Sequence, residues 1–178
     1  MIKLSFVFQE QQRTGLGFDH IMLKHQCECE NDEVHPENPS RVGVIWEHLN
    51  QCGLADLCLK VSRVATLEEI RSIHSHSHTI FYGSDASTAA TSANSSENSP
   101  SVVPITPAAA ASVRRSKFSL LKCGGVGVDA DTFWNELHTS NASRTAVGTV
   151  IELSTKVILL GEIRFCTSIF NKNIFGLS

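Results

Sequence analysis

Four soft metal donors, His25, Cys27, Cys29 and His35, fall within eleven residues, and no other stretch constrains the fold as tightly. Zinc takes four thiolate or imidazole donors in a structural site and three plus water in a catalytic one. Cys27 and Cys29 reach one ion only if the backbone turns between them, and His35 closes a short loop. A fourth donor must come from elsewhere: His25 is the local candidate, and Cys123, beside the Gly124-Gly125 pair, is the best remote one. On spacing alone the competing reading is ordinary buried thiols and surface imidazoles, because C-x-C is less diagnostic than paired C-x-x-C. The first ten residues hold one Lys and a broken apolar stretch, which makes a poor signal peptide. Six cysteines without such a signal lead us to expect a reducing compartment, where close Cys/His spacing points to metal before disulfide.

A length of 178 residues suits one domain, domains running to roughly 100–200 residues. With 15 basic and 18 acidic side chains and a net charge of -3, there is no clustered basic face to support a nucleic-acid groove. No apolar run approaches the ~20 residues needed to cross a bilayer. Three zones divide the chain. Thr14 to Gly83 is dense in apolar, charged and His/Cys residues. Ser84 to Lys117 is Ser/Ala/Thr/Pro-rich, holds three of the five prolines and no aromatic residue, and reads as a disordered insertion. From Phe118 the pattern is globular again.

Local signals predict the elements. Phe18–Leu23 reads as a strand. Pro39-Ser40-Arg41 opens a helix with Ser40 as N-cap, Val42, Ile45, Trp46 and Leu49 form one buried stripe, and Gly53 sits where a C-terminal cap belongs. Thr66-Leu67-Glu68-Glu69 is a capping box for a helix carrying Leu67, Ile70 and Ile73 inward. Leu120–Cys123 reads as a short strand into the Gly124–Gly127 turn. Asp129 and Asp131 either face a cleft or cap a helix starting near Thr132. A further helix starts near Ser140 and runs through Val147, Val150 and Ile151. Strand, helices, strand, helix is an α/β order.

Other eye-catching residues have plainer readings. His74-Ser75-His76-Ser77-His78 would align three rings on one face of a strand, but it follows a capped helix, so a helix end or turn is preferred. Gly124–Gly127 lacks both a P-loop lysine and the third glycine of a dinucleotide fingerprint. No G-x-S-x-G or H-E-x-x-H occurs, which argues against a serine hydrolase or a zincin.

Taken together, the motifs resemble the opening of a class IIa histone deacetylase catalytic domain. The resemblance rests on Thr14-Gly15-Leu16, Met22 to Cys29, and His35-Pro36-Glu37-Asn38-Pro39-Ser40-Arg41. It continues through Ala65–Glu69, His74-Ser75, His78 and Tyr82-Gly83, and resumes at Cys123–Asp129, Asp131-Thr132, Trp134–Glu136, His138, Ala146–Gly148 and Val150–Leu153. It implies a partial arginase/deacetylase-like α/β fold, helix-rich with few strands, over residues 14–157, with 84–117 as the insertion and 158–178 as a divergent tail. It also implies a structural zinc in a class-specific flap, held by Cys27, Cys29, His35 and Cys123, with His25 as alternative ligand. Arg41 matches the arginine beneath the active-site channel, and Asp131, ahead of Asp129 as the alternative, matches the rim aspartate that binds substrate backbone.

The family's chemistry needs zinc held by two aspartates and a histidine beside a tandem His pair. Neither a His-His pair nor an Asp-x-His occurs here, and all eight histidines lie at or before His138. The resemblance therefore implies lysine deacetylation of histones and other proteins in transcriptional repression, with this chain as a truncated segment inactive by itself. Alternatively it is a non-catalytic zinc module that engages a corepressor complex. Kinship implies nuclear and cytoplasmic residence, acetylated protein substrates, and neither direct nucleic-acid nor membrane binding. We also expect truncation to leave the Val42/Ile45/Trp46/Leu49 face without a partner, each wet apolar side chain forgoing roughly 1.5–3 kcal/mol, and the chain to be marginally stable.

Overall fold

Two glycines decide how the central strand meets its covering helix. The computed structural model describes residues 13–35, 38–83, 112, 117–129 and 132–170; Asp131 and nearly all of the 84–117 tract lie outside them. Strand β1 (Arg13–Gly17) runs beneath helix α4 (Thr139–Ile158). A Cβ at Gly15 would stand 2.6 Å from Leu153 Cδ2, and one at Gly17 2.5 Å from Thr149 Cγ2, so backbone and helix touch directly. The helix answers with small residues: Ala142, Thr145, Ala146, Gly148 and Thr149 are all buried.

β1 is flanked by β2 (Leu59–Val61) and β5 (Ile163–Ser168) in a parallel sheet of order β2-β1-β5, with Gly15 opposite Leu59 on one side and Cys166 on the other. Parallel neighbours need long crossovers. Here α1 (Pro39–Gln51) links β1 to β2, while α2 (Leu67–Arg71), α3 (His76–Tyr82), the antiparallel hairpin β3 (Ser119–Leu120) and β4 (Val126–Gly127), and then α4 lead to β5. Leu16 points away from α4, as alternation along a strand requires, into a core with Phe18, Val42, Ala55 and Ile169, against which Trp46 and Leu49 pack. The result is helix, sheet, helix: part of the three-layer α/β fold expected. No helix among the described residues is long and apolar enough to cross a membrane.

Several local expectations need correction. Phe18–Leu23 is not a strand: β1 ends at Gly17, and the Asp19 carboxylate accepts the Ile21 N–H (2.8 Å) to cap a 3-10 turn, His20–Lys24. The α1 cap is Asn38, one residue outside Pro39, whose missing N–H suits the first helical position; Asn38 Oδ1 accepts from Ser40 N at 3.1 Å. The α1 stripe is narrower than four residues. Val42 is buried and Trp46 stacks on Phe18 at 4.1 Å, but Ile45, on the flank away from Trp46, is 42% exposed. The face expected to stand bare is thus packed in part, through Val42, Trp46 and Leu49, and Ile169 from the 158–178 segment helps pack it. Ile73 is 79% exposed, because α2 stops at Arg71. No helix begins at Thr132: Asp129 Oδ1 accepts from Thr132 N (2.8 Å) in a turn, and Phe133 bridges back to Gly127. The hairpin strand is Ser119–Leu120, and the chain already turns at Leu121.

Other signals translate directly. The α1 C-terminus closes with Leu54 N–H to Leu49 O and Gly53 N–H to Asn50 O, both 3.0 Å, with Gly53 at φ 68°, a Schellman motif. Thr66 and Glu69 form both halves of the capping box. His74 and His78 end up in the α2–α3 corner, their rings stacked at 4.1 Å. An ion network runs from Arg63 to Glu69 (2.8 Å) and Glu152 (3.6 Å), and from Lys156 to Glu152 (3.5 Å) and Glu162 (2.8 Å). It ties the exit of β2 to α2, α4 and the approach to β5.

Candidate metal centre

Three separate segments build the centre. The first is the turn Cys27–Glu30, closed by Glu30 N–H to Cys27 O (3.1 Å). It is clamped from across the molecule by Asn135, whose amide donates to Gln26 O at 3.2 Å. The second is the 3-10 turn Asp32–Val34, capped by Asn31 Oδ1 accepting from Glu33 N (3.0 Å), which delivers His35. Asn38 then donates to His35 O at 2.9 Å and fixes that end. The third is the turn of the β3–β4 hairpin: Leu121 N–H donates to Gly125 O (2.8 Å), Gly124 takes φ 87°, and Cys123 projects from its tip.

One donor atom from each of Cys27, Cys29, His35 and Cys123 lies within 4.8 Å of all the others. Cys27 Sγ is 3.8 Å from Cys123 Sγ, and Cys29 Sγ is 3.2 Å from His35 Nε2. A tetrahedron with metal–sulfur arms of about 2.3 Å has edges of about 3.8 Å, so the thiol pair already has the spacing of two zinc ligands, and the donor set fits zinc. Nothing larger than hydrogen fits beside it: a Cβ on Gly125 would sit 2.5 Å from Cys27 Sγ. Burial, with the neighbouring thiols adding to it, pushes the Cys27 thiol up to about 12, while the Gly125 N–H holds Cys123 below the usual thiol range.

No family model matches the chain. It is 42% identical to human histone deacetylase 9 over 151 residues, 84% of its length. It is 41% identical to human histone deacetylase 7 and 38% identical to histone deacetylase 4 of Caenorhabditis elegans, each over 145 residues and 81% of the chain. The chain belongs to the class IIa histone deacetylases. It spans 14–15% of the length of these relatives. The crystal structure of the HDA15 HD domain matches this chain with a TM-score of 0.59 over 89% of its residues, covering 35% of that structure at 21% identity. That match shows the fold.

Histone deacetylase kinship implies zinc, and the four converging donors are the group among the described residues that could hold it. The remaining candidates fall elsewhere. His25, the local alternative, is fully buried; its Nδ1 lies 2.9 Å from Thr139 Oγ1 and its ring stacks on Phe133 at 4.5 Å. Arg41 is exposed in the first turn of α1, and Asp131 lies outside the described residues. Sequence reasoning assigned no supporting role to the residues that hold the centre in place: Gly125, Phe133, Asn135 and Thr139. Gly125 alone carried a signal, as the second of two glycines following Cys123.

Proposed function

We propose that this chain is the zinc-stapled part of a class IIa lysine deacetylase domain, and that Cys27, Cys29, His35 and Cys123 hold the zinc as a structural ion. What supports this reading is the convergence of four protein donors from three segments, two of them 96 residues apart. Four protein ligands close a zinc site against water, which is the structural and not the catalytic arrangement. In the complete domain the activity is deacetylation of histone and protein lysines in transcriptional repression, with Arg41 under the channel and Asp131 at its rim. These 178 residues hold no tandem His pair and no Asp-x-His, so the chain alone does not turn over acetyl-lysine.

A second reading makes the stapled loop a docking module for a corepressor complex in nucleus and cytoplasm. It is favoured by the polar cleft beside Cys27, lined by Lys24, Glu28, Glu30, Asn135 and His138. Metal analysis with an acetyl-lysine peptide assay tests the proposal. One zinc per chain, absent in Cys27→Ser and Cys123→Ser, and no turnover support it. Zinc-dependent turnover overturns the non-catalytic assignment, and zinc content unchanged in both variants removes the ligand set.

A further inference from the structure

We propose that Phe133 is a positioning residue that selects the nitrogen donor of this centre, admitting the His35 imidazole and holding the His25 imidazole off. The inference rests on the zinc reading above. Chain position does not make this choice: His25 stands two residues before Cys27, whereas His35 stands six after Cys29. Geometry does. The Phe133 ring is 1% exposed and forms the floor of the centre with Cys27 and Leu121, Cys29 and Cys123 packing against the same cluster. The His25 ring stacks on it at 4.5 Å and 30° between planes, with Nδ1 held at 2.9 Å from Thr139 Oγ1. The His35 ring meets Phe133 at 75° with centroids 5.2 Å apart, and its Nε2 stands 3.2 Å from Cys29 Sγ.

Both partners of this arrangement are fixed from outside. Phe133 is bridged to Gly127, and a Cβ at Gly127 would lie 2.7 Å from both Leu121 Cδ2 and Thr132 O, so the segment carrying the ring is packed tightly against the hairpin. Thr139 Oγ1 also accepts the Asn135 N–H at 2.8 Å, which anchors the hydroxyl facing His25. One aromatic ring thus packs against both imidazoles, stacked with one and tilted to the other. Replacing it with a flexible aliphatic side chain removes the stacking surface that holds His25, and leaves two nitrogens competing for one position.

Cobalt substitution of the full-length chain reads this directly, because Co(II) d–d bands report donor set and geometry. Wild type and His25→Ala are expected to share one spectrum, and His35→Ala to lose it. Phe133→Leu is expected to show an altered band pattern and metal affinity about 10-fold weaker, the lower end for loss of an outer partner. Adding His25→Ala to Phe133→Leu is expected to restore a single species. An unaltered Phe133→Leu spectrum, or an alteration that persists without His25, overturns the proposal. So does a changed spectrum in His25→Ala alone, a comparison that leaves the ring untouched. Failure of wild type to bind cobalt or zinc strikes the zinc reading itself, whereas a metal-loaded wild type with an indifferent Phe133→Leu strikes only this inference.

Discussion

The Sγ atoms of Cys27 and Cys123 stand 3.8 Å apart across 96 residues of sequence, so the loop after β1 and the β3–β4 hairpin meet at a pair of thiols. All six cysteines are free, and a metal is what such a pair is spaced to share. The Cys27–Glu30 turn is held to the α4 side by Asn135, but its link to the hairpin runs through this cluster.

Removing the metal should therefore loosen the hairpin. Chelation, or Cys123→Ser, is expected to cost about 3 kcal/mol or more, lowering Tm by roughly 6–12 °C for a chain of this size. Differential scanning calorimetry with and without chelator checks it; identical melts would mean that no ion staples the hairpin.

Zinc uptake should release protons. Burial pushes the Cys27 thiol up to about 12, so at neutral pH the ion must displace its proton, and apparent affinity rises with pH. Calorimetric titrations in buffers of different ionisation enthalpy are expected to show at least one proton released per zinc between pH 6 and 8. Buffer-independent heats would rule out Cys27 as a ligand.

Two glycine substitutions separate the centre from the scaffold. Gly125→Ala places a methyl 2.5 Å from Cys27 Sγ, whereas Gly148→Ala places one 2.3 Å from the Arg63 carbonyl oxygen and 2.4 Å from Ala65 N. Gly125→Ala is expected to weaken zinc binding by about 10–100-fold, the range for disturbed metal surroundings. Gly148→Ala meets backbone that cannot step aside and is expected to cost about 1–3 kcal/mol of stability while a folded fraction still binds zinc. Paired denaturation and metal-competition titrations check both.

Acid should uncouple α2 from the β2 exit. The Arg63 guanidinium, then the Thr66 N–H, holds the Glu69 carboxyl at about 2, well below its usual 4.5. A depressed carboxylate stabilises the fold above its unfolded pKa, and the contribution is lost as pH falls from about 4.5 toward 2. Both side chains are about a third exposed, so solvent screening reduces the expected effect to on the order of 1 kcal/mol. Glu69→Gln is expected to flatten the pH dependence of urea unfolding in that window; an unchanged slope would contradict it.

Part of the cluster was legible because Cys27, Cys29 and His35 are chemically rare and lie close together; spacing left His25 and Cys123 open as the fourth donor, and the Gly124-Gly125 turn and the resemblance pointed to Cys123. The capping box was legible because both partners sit three residues apart. What failed depended on tertiary context. Phe18–Leu23 has strand composition, but the Asp19 carboxylate captures a local N–H and winds the chain into a 3-10 turn. Ile45 fits the helical stripe by period, yet contact comes from Phe18 and Leu16 on the other flank. Phe133 and Asn135 from an irregular segment, and Thr139 from the first turn of α4, support the centre without any periodic pattern, so only folding brings them there.

X-ray absorption at the zinc edge of the metal-loaded chain tests the central claim most directly. The account predicts a first shell of three sulfur atoms at about 2.3 Å and one nitrogen at about 2.0 Å, with one sulfur lost in Cys123→Ser. A shell dominated by oxygen and nitrogen, or a sulfur count that Cys123→Ser leaves unchanged, would contradict it.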